Sequence, residues 1–232
     1  YATKLEIIRS LMMGIDIIID HEHAYPQRRA DSTYWPHRSF ELQALINEGF
    51  DLQVLRGTWK YGIQHNKFAV FDEKFGLFGS YNWAYTSERN HYENLAFTGE
   101  AKRVAGLLEY WKYLRGLTVS FPEARTHRWP NEVPPPPQDA APDVRHNGVA
   151  FPAYLFSPDG ATEDWIIKAI ETAKKSIDIS MFTFRSTRIA EALLAAKKAN
   201  PKLKIRVLFD KSQGENEYMK IYAEWLAFHK IP

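Results

Sequence analysis

Four side chains that suit a phosphate group fall in one short stretch. His65 and Lys67 stand on either side of Asn66, and Ser80 and Asn82 on either side of Tyr81. Residues two apart in an extended segment share a face, so each pair would present both side chains to the same side. An imidazole can attack phosphorus, an ammonium ion supplies positive charge, and a hydroxyl and an amide add hydrogen-bond donors. Taken singly, each has a bland reading: a histidine on a strand is ordinarily a surface residue, and Ser and Asn after Gly79 are residues a turn uses for its own backbone bonds. Two such pairs on adjoining predicted strands, Lys67 to Phe71 and Leu77 to Asn82, favour the chemical reading.

These residues fill the pattern H-x-K-x4-D-x6-G-S-x-N without a gap, through His65, Lys67, Asp72, Gly79, Ser80 and Asn82. Six fixed residues would coincide by chance at about 10⁻⁸ per starting position, taking each type at roughly one position in twenty. The stretch resembles the signature of the phospholipase D superfamily. That resemblance implies a phosphohistidine formed by His65, phosphate oxygens held by Lys67, Ser80 and Asn82, and a glutamate that orients the nucleophile through its other ring nitrogen. Glu93, in Glu-Asn-Leu-Ala-Phe, is the residue offered for that task. Asp72 belongs to the signature as a catalytic position, but its place at a strand end before Glu73-Lys74 suits a turn equally well. No metal and no cofactor are implied.

The elements that must position this set read as alternating helices and strands. A helix is predicted from Lys4 to Met13, a strand from Ile15 to Asp20, an irregular loop over 21–38, a helix from Ser39 to Glu48 ending at Gly49, and a strand from Leu52 to Leu55. After the motif, Ala101 to Arg115 is an amphipathic helix followed by Gly116. Prolines 122, 130, 134 to 137 and 142 make regular structure implausible over 121–147, which reads as a stiff exposed linker. Beyond it come a strand at Ala153 to Phe156, a helix from Thr162 to Lys175, the strand Ile177 to Phe182, a helix from Thr187 to Ala199 capped by Ser186, the strand Ile205 to Phe209 and a helix from Glu215 to His229. Such alternation predicts an α/β fold with a mostly parallel, mixed sheet covered by helices on both faces.

The segment from Leu5 to Asp20 matches that from Ile189 to Asp210, with an aspartate closing each strand, and the following helices end alike near Gly49 and Lys230. The expected organisation is therefore 1–120 as the C-terminal part of one phospholipase D-like lobe, 121–147 as the linker, and 148–232 as the N-terminal part of a second lobe. Only one H-x-K occurs. The family builds its cleft from two motifs, so a second lobe or a second chain is the expected partner.

Composition bounds the rest. The 232 residues are 45% hydrophobic and 14% aromatic, enough for a folded core. A net charge of +2 gives no bulk case for nucleic-acid binding, so anion binding must be local. The absence of cysteine excludes disulfides and thiolate metal sites. No apolar run reaches the roughly 20 residues of a membrane span. The chain begins at Tyr1, for which a missing native N-terminus is the expectation, and localisation is left unknown. His21 and His23 alternate like metal ligands but lack a third, and read as loop residues. His91, His127, His146 and His229 read as surface residues, with His91 near the rim of the site.

The expected activity is phosphodiester hydrolysis in two steps without metal. Glycine 79 to Trp83 together with Glu93-Asn94 is closer to nuclease-like and mitochondrial-type members, which implies a nucleic-acid substrate. A phospholipid hydrolase or transphosphatidylase is the alternative, and a non-catalytic binding protein a third. Trp59, Tyr61, Tyr81 and Trp83 suit base stacking, an acyl groove or a core equally.

Overall fold

In the computed structural model, residues 15–24, 40–59, 62–214 and 217–231 are described. The predicted helix from Lys4 to Met13, the loop beyond Ala24 and Tyr61 lie outside them. The chain divides into two compact units, Tyr1–Pro137 and Gln138–Pro232, the division falling inside the proline-rich stretch.

In the first unit, the β-branched run Asp16–Asp20 forms β1, which pairs in parallel with β2 (Asp51–Leu55) from Asp16 opposite Asp51 to Asp20 opposite Leu55. Leu52, Gln53, Val54 and Leu55 are all buried, as expected of a central strand covered on both faces. β1 runs directly into a single helical turn, α1 (His21–Ala24), where only a loop was expected. Helix α2 (Phe40–Asn47) ends as predicted at Gly49, whose φ of 80° lets its N–H bond to Ile46 O while Phe50 N–H reaches Leu45 O. These are the two bonds of a Schellman cap.

Next come three antiparallel strands in the order β3 (Phe68–Phe71), β4 (Phe75–Gly79) and β5 (Leu95–Thr98), with the short helix α3 (Tyr85–Asn90) between the last two. Helix α4 (Ala101–Leu117) covers one face, burying Val104, Leu107, Tyr110 and Leu114. Tyr110 stacks on Phe68 at 5.7 Å. Gly76 leaves the space that Leu107 fills: an added Cβ would lie 2.8 Å from Leu107 Cδ1. Full burial of each such aliphatic side chain stabilises by about 1.5–3 kcal/mol, so this helix is the chief support of the meander. It runs through Gly116, which was expected to end it.

Strand β6 (Val119–Ser120) adds antiparallel to β2 and leads into α5 (Phe121–Ala124). A regular element was thought implausible here, but Pro122 falls in the first turn, where a missing N–H costs nothing. Ala24, Val54 and Ala124 form a small core with Ile19, Val119, Phe121 and Trp129 around them.

In the second unit the expected strand from Ala153 to Phe156 is absent. Those backbone groups bond instead to side chains: Ala153 N–H to Asp139 Oδ2, and Phe156 N–H and C=O to Gln138. The strands are β7 (Val144–His146) and β8 (Val149–Phe151), a hairpin turned by Asn147-Gly148 with both residues at positive φ. Helices α6 (Thr162–Thr172) and α7 (Thr187–Ala199) alternate with the parallel strands β9 (Ser176–Met181) and β10 (Lys204–Phe209), α7 connecting the two. Ser186 caps α7 as predicted, its Oγ accepting Ile189 N–H at 3.1 Å. The single turn α8 (Lys211–Gly214) and helix α9 (Glu217–Phe228) follow, over a core including Leu193, Leu203, Ile205 and Leu226.

The fold is α/β, with parallel pairs where alternation predicted them. Among the described residues the sheets are small and mixed, because β3 and β4 are joined by a tight turn that forces antiparallel pairing and β5 adds antiparallel to β4. Details of the repeat recur in both units. Asp20 and Asp210 each accept the N–H two residues on, from Glu22 and Ser212. The second copy of the Schellman cap has Lys230 in the place of Gly49, with φ 58° and Ile231 N–H on Leu226 O. No helix among the described residues is long and apolar enough to cross a membrane.

Candidate active site

His65 and Lys67 were expected on a strand, yet regular pairing begins only at Phe68, and 62–67 is an extended approach to it. His65 and Asn66 are exposed and Lys67 half-buried, so burial does not alternate along this approach. Asn66 is tied to the fold by its side chain, its Nδ2 donating to the buried Tyr110 Oη at 3.0 Å and to Gln64 Oε1 at 2.8 Å. Lys67 folds its ammonium onto the His65 carbonyl.

Ser80 and Asn82 likewise lie past the end of their strand, which closes at Gly79. Gly79 is wedged between two backbones. Its N–H bonds to Lys67 O at 3.2 Å, and a Cβ placed on it would be 2.2 Å from Asn94 O. Ser80 continues the connection, donating its N–H to Asn94 O and accepting Asn94 N–H on Oγ, both at 3.0 Å. The Gly-Ser step therefore ties the residue that precedes β3 to the residue that precedes β5, and draws His65, Lys67, Ser80 and Glu93 to one end of the meander. Asn82 is exposed just beyond, where the chain bends and Ala84 N–H bonds to Asn82 O. Tyr81 donates to Glu88 Oε2 at 2.9 Å, fastening α3 to the same loop.

Glu93 is mostly covered, with 15% of its side chain exposed, and one carboxylate oxygen lies 3.7 Å from His91 Nδ1. That separation is an electrostatic contact and too long for a hydrogen bond. Its charge also acts on Lys67. Asp72 is at the other end of β3. It opens the β3–β4 turn, where Asp72 and Glu73 both take positive φ, 51° and 55°, and Lys74 N–H closes on Phe71 O. Five residues of strand put it about 17 Å from Lys67, so the structure does not bring it to the other motif residues.

Partial burial of its ring, and secondly the ammonium of Lys67, hold the His65 pKa below the ordinary imidazole value, while the carboxylate of Asp20 pulls the other way. Burial also lowers Lys67, opposed by Glu93 and Asp20. An imidazole held neutral near neutral pH is a competent nucleophile, and an ammonium between two carboxylates keeps its charge for an anionic ligand. Asp20 was noticed in the sequence only as a landmark of the repeat. The recurrence of an aspartate at the end of both repeat strands was the available signal.

His21 packs edge-on against Trp129, ring centroids 5.8 Å apart. Among the described residues no group of three or more His, Cys, Asp or Glu is placed to hold a metal ion. Around the site the aromatics face solvent: Trp59, Trp83 and Tyr85 are 62%, 72% and 75% exposed, and Tyr92 is fully exposed.

A solved structure, NucT from Helicobacter pylori, is similar over 52% of this chain and 75% of its own length, at 21% identity and a TM-score of 0.39. No curated protein matches the chain significantly. A family profile described as "Cardiolipin synthase, PLD-like domain" matches residues 5–114 and 166–229, well over half of the chain and including every motif residue. The chain belongs to this family of phospholipase D-like domains.

Proposed function

We propose that the chain carries the nucleophilic part of a phosphodiesterase site, with nucleic acid as substrate. The observation that supports this best is the double tether of Gly79 and Ser80, which gathers one imidazole held below its usual pKa, one ammonium, one hydroxyl and one carboxylate. His65 attacks phosphorus in line, a P–N bond forms and the bond to the leaving oxygen breaks. Lys67, Ser80 and Asn82 stabilise charge on the equatorial oxygens. Water then attacks the phosphohistidine and returns the imidazole. Glu93 helps hold Lys67 charged. Asp72 serves the β3–β4 turn, which sets the register of the motif strands.

The leaving oxygen needs a proton, and a second imidazole from another lobe or chain is the proposed donor. The substrate assignment rests on the exposed rings beside the motif, Trp83, Tyr85 and Tyr92, which offer stacking faces for unpaired bases. The profile's description as cardiolipin synthase favours the runner-up, a phospholipid phosphodiester.

The test uses a diester whose p-nitrophenolate departs without protonation, so that the nucleophile is read independently of any second acid. The full chain should release a burst of one nitrophenolate per chain and retain the phosphoryl group on His65. His65→Asn should abolish both. Competition by single-stranded DNA, RNA and cardiolipin vesicles then ranks the substrates, and protection by vesicles alone would move the assignment to phospholipid.

A further inference from the structure

We infer that Asp20 is a positioning residue for the nucleophile: its carboxylate anchors the backbone immediately before His65 to the end of β1. The inference rests on the reading of His65 as nucleophile. Asp20 lies 44 residues upstream of Gln64 and is only 9% exposed. Its two oxygens have separate tasks. Oδ1 accepts Glu22 N–H at 2.9 Å, capping α1, and Oδ2 accepts Gln64 N–H at 2.7 Å. A buried carboxylate accepting a backbone N–H is a charge-assisted bond, stronger than a neutral one.

The approach at 62–67 has no ladder of its own, so its position depends on such anchors. Among the described residues three bonds tie 64–67 to the rest of the unit: Asp20 on Gln64 N–H, Tyr110 on Asn66, and Gly79 N–H on Lys67 O. They fall at 64, 66 and 67, with His65 held between the first two. Gln64 is further tied to Asn66, its Oε1 accepting Asn66 N–H at 3.1 Å. Release at Gln64 would leave the imidazole held from its C-terminal side only, through Asn66 and Lys67. Asp20 also acts through space. The charged groups bearing on His65 are Lys67 and Asp20, and those bearing on Lys67 are Glu93 and Asp20, so a single carboxylate reaches both motif residues.

Both oxygens receive an N–H, which makes the carboxylate hard to replace. An asparagine offers one acceptor oxygen and turns an NH₂ toward the other donor, so Asp20→Asn must give up either the cap or the anchor.

The experiment follows the Gln64 amide by hydrogen exchange and the His65 ring by NMR titration in the full chain, assigned by loss of the His65 signal in His65→Asn. In the wild type the Gln64 amide should exchange at least tenfold slower than an unstructured peptide. In Asp20→Asn that protection should fall, the His65 pKa should drop because the opposing carboxylate is gone, and the p-nitrophenolate burst should slow with half-saturation by the diester little changed. Wild-type exchange of Gln64 at the peptide rate overturns the anchor even if no Asp20 variant folds. An unchanged His65 titration in a folded Asp20→Asn, or equal loss of binding and rate, overturns the positioning role. A burst that persists in His65→Asn refutes the nucleophile reading instead, whatever Gln64 does.

Discussion

Replacing Gly79 by alanine is the sharpest perturbation of the site that leaves its chemical groups untouched. The new methyl carbon would meet Asn94 O at 2.2 Å, with Asn94 C and Leu95 Cα both at 3.0 Å. All three are backbone atoms, and no rotamer change relieves them. To restore even a 3.0 Å approach, the strand ends must part by roughly 0.8 Å. Overpacking of this kind costs about 1–3 kcal/mol. The bonds from Ser80 N–H to Asn94 O and from Asn94 N–H to Ser80 Oγ span that gap, and their weakening adds about 1 kcal/mol each. The expected destabilisation of the β3–β5 meander is therefore about 3–5 kcal/mol. A displacement approaching 1 Å at the motif should slow the nitrophenolate burst on the order of 100-fold. Urea unfolding with hydrogen exchange at the β4 and β5 amides measures the first effect, and stopped-flow absorbance the second. Gly116 is the control: it is helical and exposed, with nothing within 4 Å of a new Cβ. Gly116→Ala should stabilise by about 0.5–1 kcal/mol and leave the burst alone. If Gly79→Ala unfolds within about 0.5 kcal/mol of the wild type and bursts at its rate, the wedge does not hold the site together.

Lys67→Met should reduce the burst rate by on the order of 10²-fold, as loss of a charged transition-state donor does; retention of more than a third of the rate refutes its role. The same variant should raise the His65 pKa, since Lys67 is one of the causes holding it down. The acid limb of the residual burst should then move to higher pH, and a move to lower pH would contradict the assignment. In the wild type the folded imidazole binds its proton more weakly than the unfolded one, so His65 subtracts stability as pH falls below about 6.5; pH-dependent urea midpoints of wild type and His65→Asn should diverge there. Turnover should survive EDTA, because the proposed steps run through an imidazole, an ammonium, a hydroxyl and an amide, with Glu93 the one carboxylate gathered beside them; abolition by chelation with rescue by Mg²⁺ or Zn²⁺ would refute that mechanism.

The repeat and the helix ends at Gly49 and Ser186 were legible because they depend on local chemistry, whereas Gly116 did not end its helix. Gly49 and Ser186 act through their own conformations and hydrogen bonds, and their neighbours in sequence suffice to reveal them. The Asn147-Gly148 hairpin was equally local, but the preceding prolines masked it, although they end before β7 begins. The motif supplied the candidate site residues for the same reason: H-x-K and G-S-x-N are short-range patterns.

The assembly of those patterns was decided in three dimensions. Strand periodicity placed the paired residues on strands, but the cross-chain bonds of Gly79 and Ser80 end the ladder just where the side chains are needed. Asp72 matched the signature while the turn at the far end of β3 carried it away from its companions. Asp20 could not be recognised from spacing, because its bond to Gln64 crosses 44 residues and exists only once β1 lies beside β2 and the motif approach passes its end. Local sequence determines which groups are available and which conformations they favour. Which of them meet depends on backbone bonds and packing between segments far apart in the chain.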